Sequence, residues 1–171
     1  METLFENKCI FSKGNLLEMA KKSRSKSKDI IIYILFVFCM GLVILSSVQY
    51  KYLEAGIYLI FCLIIVCLYL FLPYMNVNKA MKQFKEIYHT EVETTVLFFD
   101  DYMVSINKQT AGEIKMDYLQ IIKVKQTKGL YLLQMQQNIN ILVDKNGFTK
   151  GDREGFITFI KEKAGNAKIR I

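Results

Sequence analysis

The sequence predicts an α+β membrane protein in which a hairpin of two transmembrane helices is joined to an antiparallel β-barrel or strongly curved sheet, capped by a C-terminal helix. Three features carry this expectation. Residues 30–48 and 55–74 contain no charged side chain. Short segments after Glu91 alternate apolar and polar residues, and the final segment places Phe156, Phe159 and Ile160 on one helical face. The 171 residues are 52% apolar, above the roughly 45–50% usual for soluble domains. Two membrane segments explain that excess better than one large core.

The first run, IIIYILFVFCMGLVILSSV, is long enough as a helix to match a hydrocarbon core of about 30 Å. Its Leu, Ile, Val and Phe residues favour insertion by about 4–8 kcal/mol in all, with no charge to offset them. It begins too late and runs too long for a signal peptide, and no small-residue cleavage site follows. The second run, AGIYLIFCLIIVCLYLFLPY, is expected to stop near Pro73. The spans are therefore 30–48 and 55–74 within a hairpin of residues 29–75. Only VQYKYLEA separates them, so both termini face one compartment. Lys21, Lys22, Arg24, Lys26 and Lys28 before the first span, and Lys79, Lys82 and Lys85 after the second, make that compartment the cytoplasm and the location the cell membrane. Neither span holds an ionisable Asp, Glu, Lys, Arg or His, which argues against transport by one chain. Gly41 and Gly56 offer points of close helix approach.

Residues 78–89 (NKAMKQFKEIYH) read as a short amphipathic juxtamembrane helix that lies on headgroups or packs on the domain behind it. Residues 91–165 form the main cytoplasmic domain, and residues 166–171 a tail. Six strands are expected in an antiparallel meander: EVETTVLFF, YMVSIN, GEIKM, QIIKVKQ, LYLLQM and INILV. Asp100 and Asp101, residues 109–112, Lys128 with Gly129, and Asn138 supply the breaks. In QIIKVKQ, alternation points Ile122 and Val124 inward and Lys123 and Lys125 outward. Asn146 and Gly147 turn the chain, Thr149 or Asp152 caps the last helix, and Gly165 ends it. Phe156→Asp or Phe159→Asp is expected to unfold the domain, since each buried Phe contributes roughly 1.5–3 kcal/mol. Residues 1–28 supply a strand (LFENKCIFS) and a helix (NLLEMAKKSRSK) with Gly14 between them. Whether that strand completes the C-terminal sheet is open at this level.

No catalytic, cofactor-binding or metal site is expected. His89 is the only histidine, so neither a Ser-His-Asp group nor a zinc set has its members. The four cysteines give no disulfide or metal spacing, and no phosphate-binding glycine loop occurs. Asp100 and Asp101 serve a turn. A net charge of +7 with only three arginines fits cytoplasmic lysine bias rather than nucleic-acid binding. Lys123, Lys125 and Lys128, with Lys79, Lys82 and Lys85, are the candidate contacts for anionic lipid.

With this layout in view, the chain resembles the YcxB-like family of bacterial membrane proteins. The resemblance is carried by VLFFDDYMVSI, by IKMDYLQIIKVKQTKGLYLLQ and by NGFTKGDREGFITFIKEK, and extends to the N-terminal strand, helix and two spans. Tyr118 stands where the family often has Trp. The resemblance implies a C-terminal domain similar to bacterial pleckstrin-homology (PH-like) folds and brings no catalytic position with it. The expected role is a non-enzymatic interaction module at the cytoplasmic membrane face, binding a protein partner by a sheet edge or groove. Anionic-lipid sensing, or service as an accessory subunit of a larger membrane complex or transporter, are the alternatives.

Overall fold

The computed structural model describes residues 2–24, 26–136, 139–165 and 167–170, with only the backbone of Lys26, Lys28 and Arg170; the expected turn residue Asn138 lies outside them. The chain divides into two units, Ser23–Val77 and a second built from Met1–Lys22 with Asn78–Ile171. Its helices are α1 (Lys13–Lys22), α2 (Lys26–Val48), α3 (Tyr52–Tyr88) and α4 (Arg153–Lys163). Both α2 and α3 are long and apolar enough to cross a membrane.

In the unit of Ser23–Val77, α2 ends in a Schellman turn. Lys51 N donates to Ser46 O at 2.9 Å and Tyr50 N to Ser47 O at 3.1 Å, with Tyr50 in the left-handed region at φ 60. A Cβ on Gly41 or Gly56 would meet nothing within 4 Å, so neither is a point of close approach within the chain. Pro73 does not end α3, which continues to Tyr88, and the expected separate helix at 78–89 is its last three turns. A proline inside a helix leaves the carbonyl four residues earlier without its N–H. Here that carbonyl, on Tyr69, accepts from Arg24 Nη2 at 2.7 Å. The Arg24 guanidinium also lies 4.2 Å from the Tyr69 ring centre, and the Tyr69 hydroxyl donates to Asp29 at 2.7 Å. Arg24→Ala is expected to destabilise the hairpin by about 1–3 kcal/mol, the range for losing a charge-assisted hydrogen bond, here to a part-buried carbonyl that has no N–H of its own. In a Pro73→Ala background the loss should shrink, because residue 73 regains an N–H for Tyr69. Equilibrium unfolding of the four proteins in detergent checks this; equal losses in both backgrounds would place the value of Arg24 elsewhere.

Among the described residues, the other unit holds nine strands in two sheets, and no closed barrel. One sheet has the order β4-β3-β2-β1-β8, with β1 (Phe5–Ile10), β2 (Glu93–Phe98), β3 (Tyr102–Asn107), β4 (Gly112–Asp117) and β8 (Phe148–Lys150). The other has the order β7-β6-β5-β9, with β5 (Ile121–Gln126), β6 (Leu130–Met135), β7 (Asn140–Asp144) and β9 (Lys168–Arg170). The N-terminal strand therefore lies inside the first sheet, antiparallel to β2 and β8. The simple meander is further corrected by β8, which follows the Asn146–Gly147 turn, and by β9, a tail strand that pairs parallel to β5. The 3-10 turn Tyr118–Gln120 separates β4 from β5, which pairs with β9 instead, and among the described residues no ladder joins β7 to β1 or β8.

Side chains bridge what the ladders do not. Asn7 on β1 is fully buried; its Nδ2 donates to Asp144 O at 2.7 Å and its Oδ1 accepts from Asp144 N at 2.9 Å. The amide thus stands in for a strand backbone between the two sheets. Beside it, Lys8 N donates to Gly147 O at 2.8 Å, and a Cβ on Gly147 would collide with the Lys8 carbonyl. The main core gathers the inward residues of both sheets under α4. The Phe156 ring lies 4.9 Å from Phe98, 5.1 Å from Phe148, 5.8 Å from Phe5 and 5.9 Å from Tyr131. Asp152, not Thr149, caps α4, accepting from Gly155 N at 2.7 Å. A smaller cluster of Cys9, Leu130, Leu132 and Leu142 is covered by Phe11 and by Met19 of α1, which explains why β6 reads LYLL rather than alternating. Helix α1 is capped by Ser12, which accepts from Asn15 N, so Gly14 lies in its first turn rather than before it.

Candidate interaction surfaces

Strand β4 is an edge, and its outward backbone can be read from the hydrogen-bond phase. Phe99 N donates to Tyr102 O at 2.9 Å and Lys108 N to Glu93 O at 3.0 Å. Antiparallel ladders alternate, so residues 102, 104 and 106 turn their backbone groups to β2 and residues 103, 105 and 107 turn theirs to β4. Register Met103↔Met116 and Ser105↔Ile114 then spends the backbone of Ile114 and Met116 on β3. Glu113, Lys115 and Asp117 face the open edge. Asp117 N is taken by the Gln120 side chain at 3.3 Å, which leaves the amides and carbonyls of Glu113 and Lys115 available to an incoming strand. Beside them Ile114 is 54% and Leu119 72% exposed.

The lysines singled out from sequence fall in two places. Lys123 and Lys125 lie on β5, two residues apart and so on one face, with Lys128 exposed in the following turn. Lys79, Lys82 and Lys85 are exposed on α3, where Lys82 stands 3.7 Å from Glu86. Ile122 does not point inward: a register shift between Ile121 and Lys123 lets Ile121 and Val124 both bury, leaving Ile122 exposed. Lys123 is level with Lys168 of β9, and Lys125 Nζ donates to Lys22 O at the end of α1 at 3.0 Å. On the opposite side of residues 78–88, the Phe84 ring lies 6.3 Å from that of Phe11, tilted by 43°, so this amphipathic segment packs on the β1–α1 junction.

Sequence reading missed a polar tie beneath α1. Glu18 accepts from Thr127 Oγ1 at 2.6 Å and from Gly129 N at 3.1 Å. Lys145, only 8% exposed, donates to the carbonyls of Thr127 and Lys128. The Thr127 hydroxyl, then the Gly129 amide and the nearby ammonium groups, hold the Glu18 carboxyl below its ordinary 4.5 against the opposing effect of burial. Burial, and then Arg153, lower the Lys145 ammonium. A depressed carboxyl supplies stability that is fully present above its unfolded value and is lost as pH falls through the folded one. The melting difference between wild type and Glu18→Gln should therefore be widest near neutrality and close below pH 4.5. A difference that persists unchanged into acid would remove Glu18 from this role.

Several other reactive groups can be placed. Burial, with Asp144 nearby, pushes the Cys9 thiol up to about 12, so it is no nucleophile at neutral pH. The Tyr118 hydroxyl reaches Phe99 O at 2.7 Å and Tyr102 O at 3.0 Å, pinning the β2–β3 turn. Asp100 in that turn meets Lys163 of α4 at 2.6 Å. His89 is exposed at φ 55, just past the end of α3. Among the described residues no three His, Cys, Asp or Glu side chains converge.

The segment from Phe98 to Ile160 thus contains the β2–β3 turn, the Tyr118 anchor, the β5–β7 ladder and most of α4. Residues 98–160 match the YcxB-like protein family. The YcxB-like match is narrower than the resemblance read from sequence, and stops short of β1, α1, the apolar helices and β9. No curated protein and no solved structure matches the chain. The YcxB-like segment takes Phe5, Asn7 and Cys9 from outside its own limits to complete its core.

Proposed function

We propose that this chain is a non-enzymatic interaction module anchored at the cytoplasmic face of a bacterial membrane, with a PH-like domain that receives a protein partner along β4. The free backbone of Glu113 and Lys115, flanked by exposed Ile114 and Leu119, is the observation that carries it. Membrane anchoring is supported by apolar side chains left facing outward along α2 and α3, such as Ile31, Phe38, Leu63 and Phe71, where a soluble core helix would bury them. Because residues before and after the hairpin build one unit, a hairpin in a membrane leaves both on the same side. The lysines flanking it favour the cytoplasm. Two sheets, antiparallel except for the β5–β9 pair, with a C-terminal helix seated on their core support the PH-like reading. The test is a photoreactive amino acid at position 114 of the full-length protein in its native membrane. A discrete protein adduct is expected, and a large polytopic partner would make the chain an accessory subunit; absence of any protein adduct overturns the reading.

A second reading, anionic-lipid sensing, is favoured by the pairing of Lys123 with Lys168. Like charges placed level on neighbouring strands repel, and an anion relieves that. In nanodiscs, chemical labelling of Lys123, Lys125 and Lys128 should be suppressed by anionic lipid at low salt and return at high salt. Equal labelling in neutral and anionic lipid would dismiss it.

A further inference from the structure

An edge strand accepts a partner only in registers that match its backbone phase. Directly opposed residues of an antiparallel pair either exchange hydrogen bonds or both turn away, so outward-facing residues must oppose outward-facing ones. For two copies of β4 related by a two-fold axis, this places the axis at a residue, not between residues. An axis at Glu113 or Lys115 sets a like charge against itself. An axis at Gly112 or Met116 runs much of the pairing beyond the strand ends at Gly112 and Asp117. An axis at Ile114 has neither fault. It sets Ile114 against its own copy as a non-hydrogen-bonded pair, and it opposes Glu113 to Lys115 twice, each pair exchanging its free amide and carbonyl.

We infer that β4 is a homodimerisation strand, pairing antiparallel with β4 of a second copy about Ile114. The inference rests on the reading of β4 as the interaction edge and names its partner. Both the phase of free hydrogen-bonding groups and the charge order Glu113-Ile114-Lys115 are self-complementary, and Ile114, 54% exposed, is covered by its copy. One short strand buries less than the roughly 1,000 Å² of an independent interface. Confinement of both copies to one membrane raises their effective concentration and lets a small contact suffice.

The full-length protein, with Cys39, Cys62 and Cys67 replaced by alanine and Ile114→Cys added, tests this in native membranes under mild oxidation. A non-hydrogen-bonded pair holds its Cα atoms about 4.5 Å apart, within disulfide range. A disulfide-linked dimer is expected. Glu113→Lys or Lys115→Glu alone should lower its yield several-fold, and the double exchange Glu113→Lys/Lys115→Glu should restore it, with unchanged protease resistance confirming the fold. No dimer, or equal yields in all four proteins, overturns the pairing. If the dimer is absent while the photoreactive residue at 114 still captures another protein, the edge remains a binding site with a different partner. If both fail, the reading of β4 falls with it.

Discussion

Phe156→Ala is expected to lower the stability of the strand-rich unit by about 3–5 kcal/mol, the range for truncating a buried aromatic. The side chain is 1% exposed and its ring meets β1, β2, β6 and β8, so no single neighbour can collapse into the space. A domain with a typical reserve of about 5–15 kcal/mol is then near its limit. Phe156→Asp adds an unpaired charge and should leave the unit unfolded. Phe159→Asp should do less, because Phe159 is half-buried and, among the described residues, meets the rings of Phe5 and Tyr118 alone. Amide hydrogen exchange in β6, read by mass spectrometry on the full-length protein, checks all three. Wild-type protection in Phe156→Ala would show that α4 is not what holds the sheets together.

Asn7→Ala should be the next most damaging change described. It strands the Asp144 amide, while the Asp144 carbonyl keeps Gly147 N at 3.1 Å; the orphaned donor costs about 1–3 kcal/mol, and the cavity left at the fully buried Asn7 adds to that. Asn7→Asp should rescue little, because a carboxylate accepts from Asp144 N but sets its second oxygen against Asp144 O. The same exchange measurement, read at β7, distinguishes the two mechanisms. Loss confined to β7 and β8 would mean that Asn7 ties the sheets locally, whereas global loss would make it part of the fold's foundation.

Much of the strand pattern was legible because alternation is a local property. Glu93–Phe98, Tyr102–Asn107 and Leu130–Met135 sit where apolar residues and turn formers placed them. Other features were hidden for identifiable reasons. Strand β8 and strand β9 are three residues each, too short for periodicity to register. The bulge in β5 reversed the facing of Ile122, since one extra residue shifts alternation by half a period. Asn7 did leave a signal: it is polar at an inward position between Phe5 and Cys9. Its partner, more than a hundred residues away, left none.

The sequence by itself determined the two apolar helices, the basic segments beside them, the strand alternation and the absence of a recognisable catalytic motif, because each depends on neighbours along the chain. Only the tertiary structure decided that β1 joins a sheet formed by residues far downstream, that Arg24 supplies the donor that Pro73 lacks, and that Glu113 and Lys115 turn their backbone outward. Those outcomes depend on which groups meet across space, and a hydrogen bond between distant residues imposes no spacing that the chain can display.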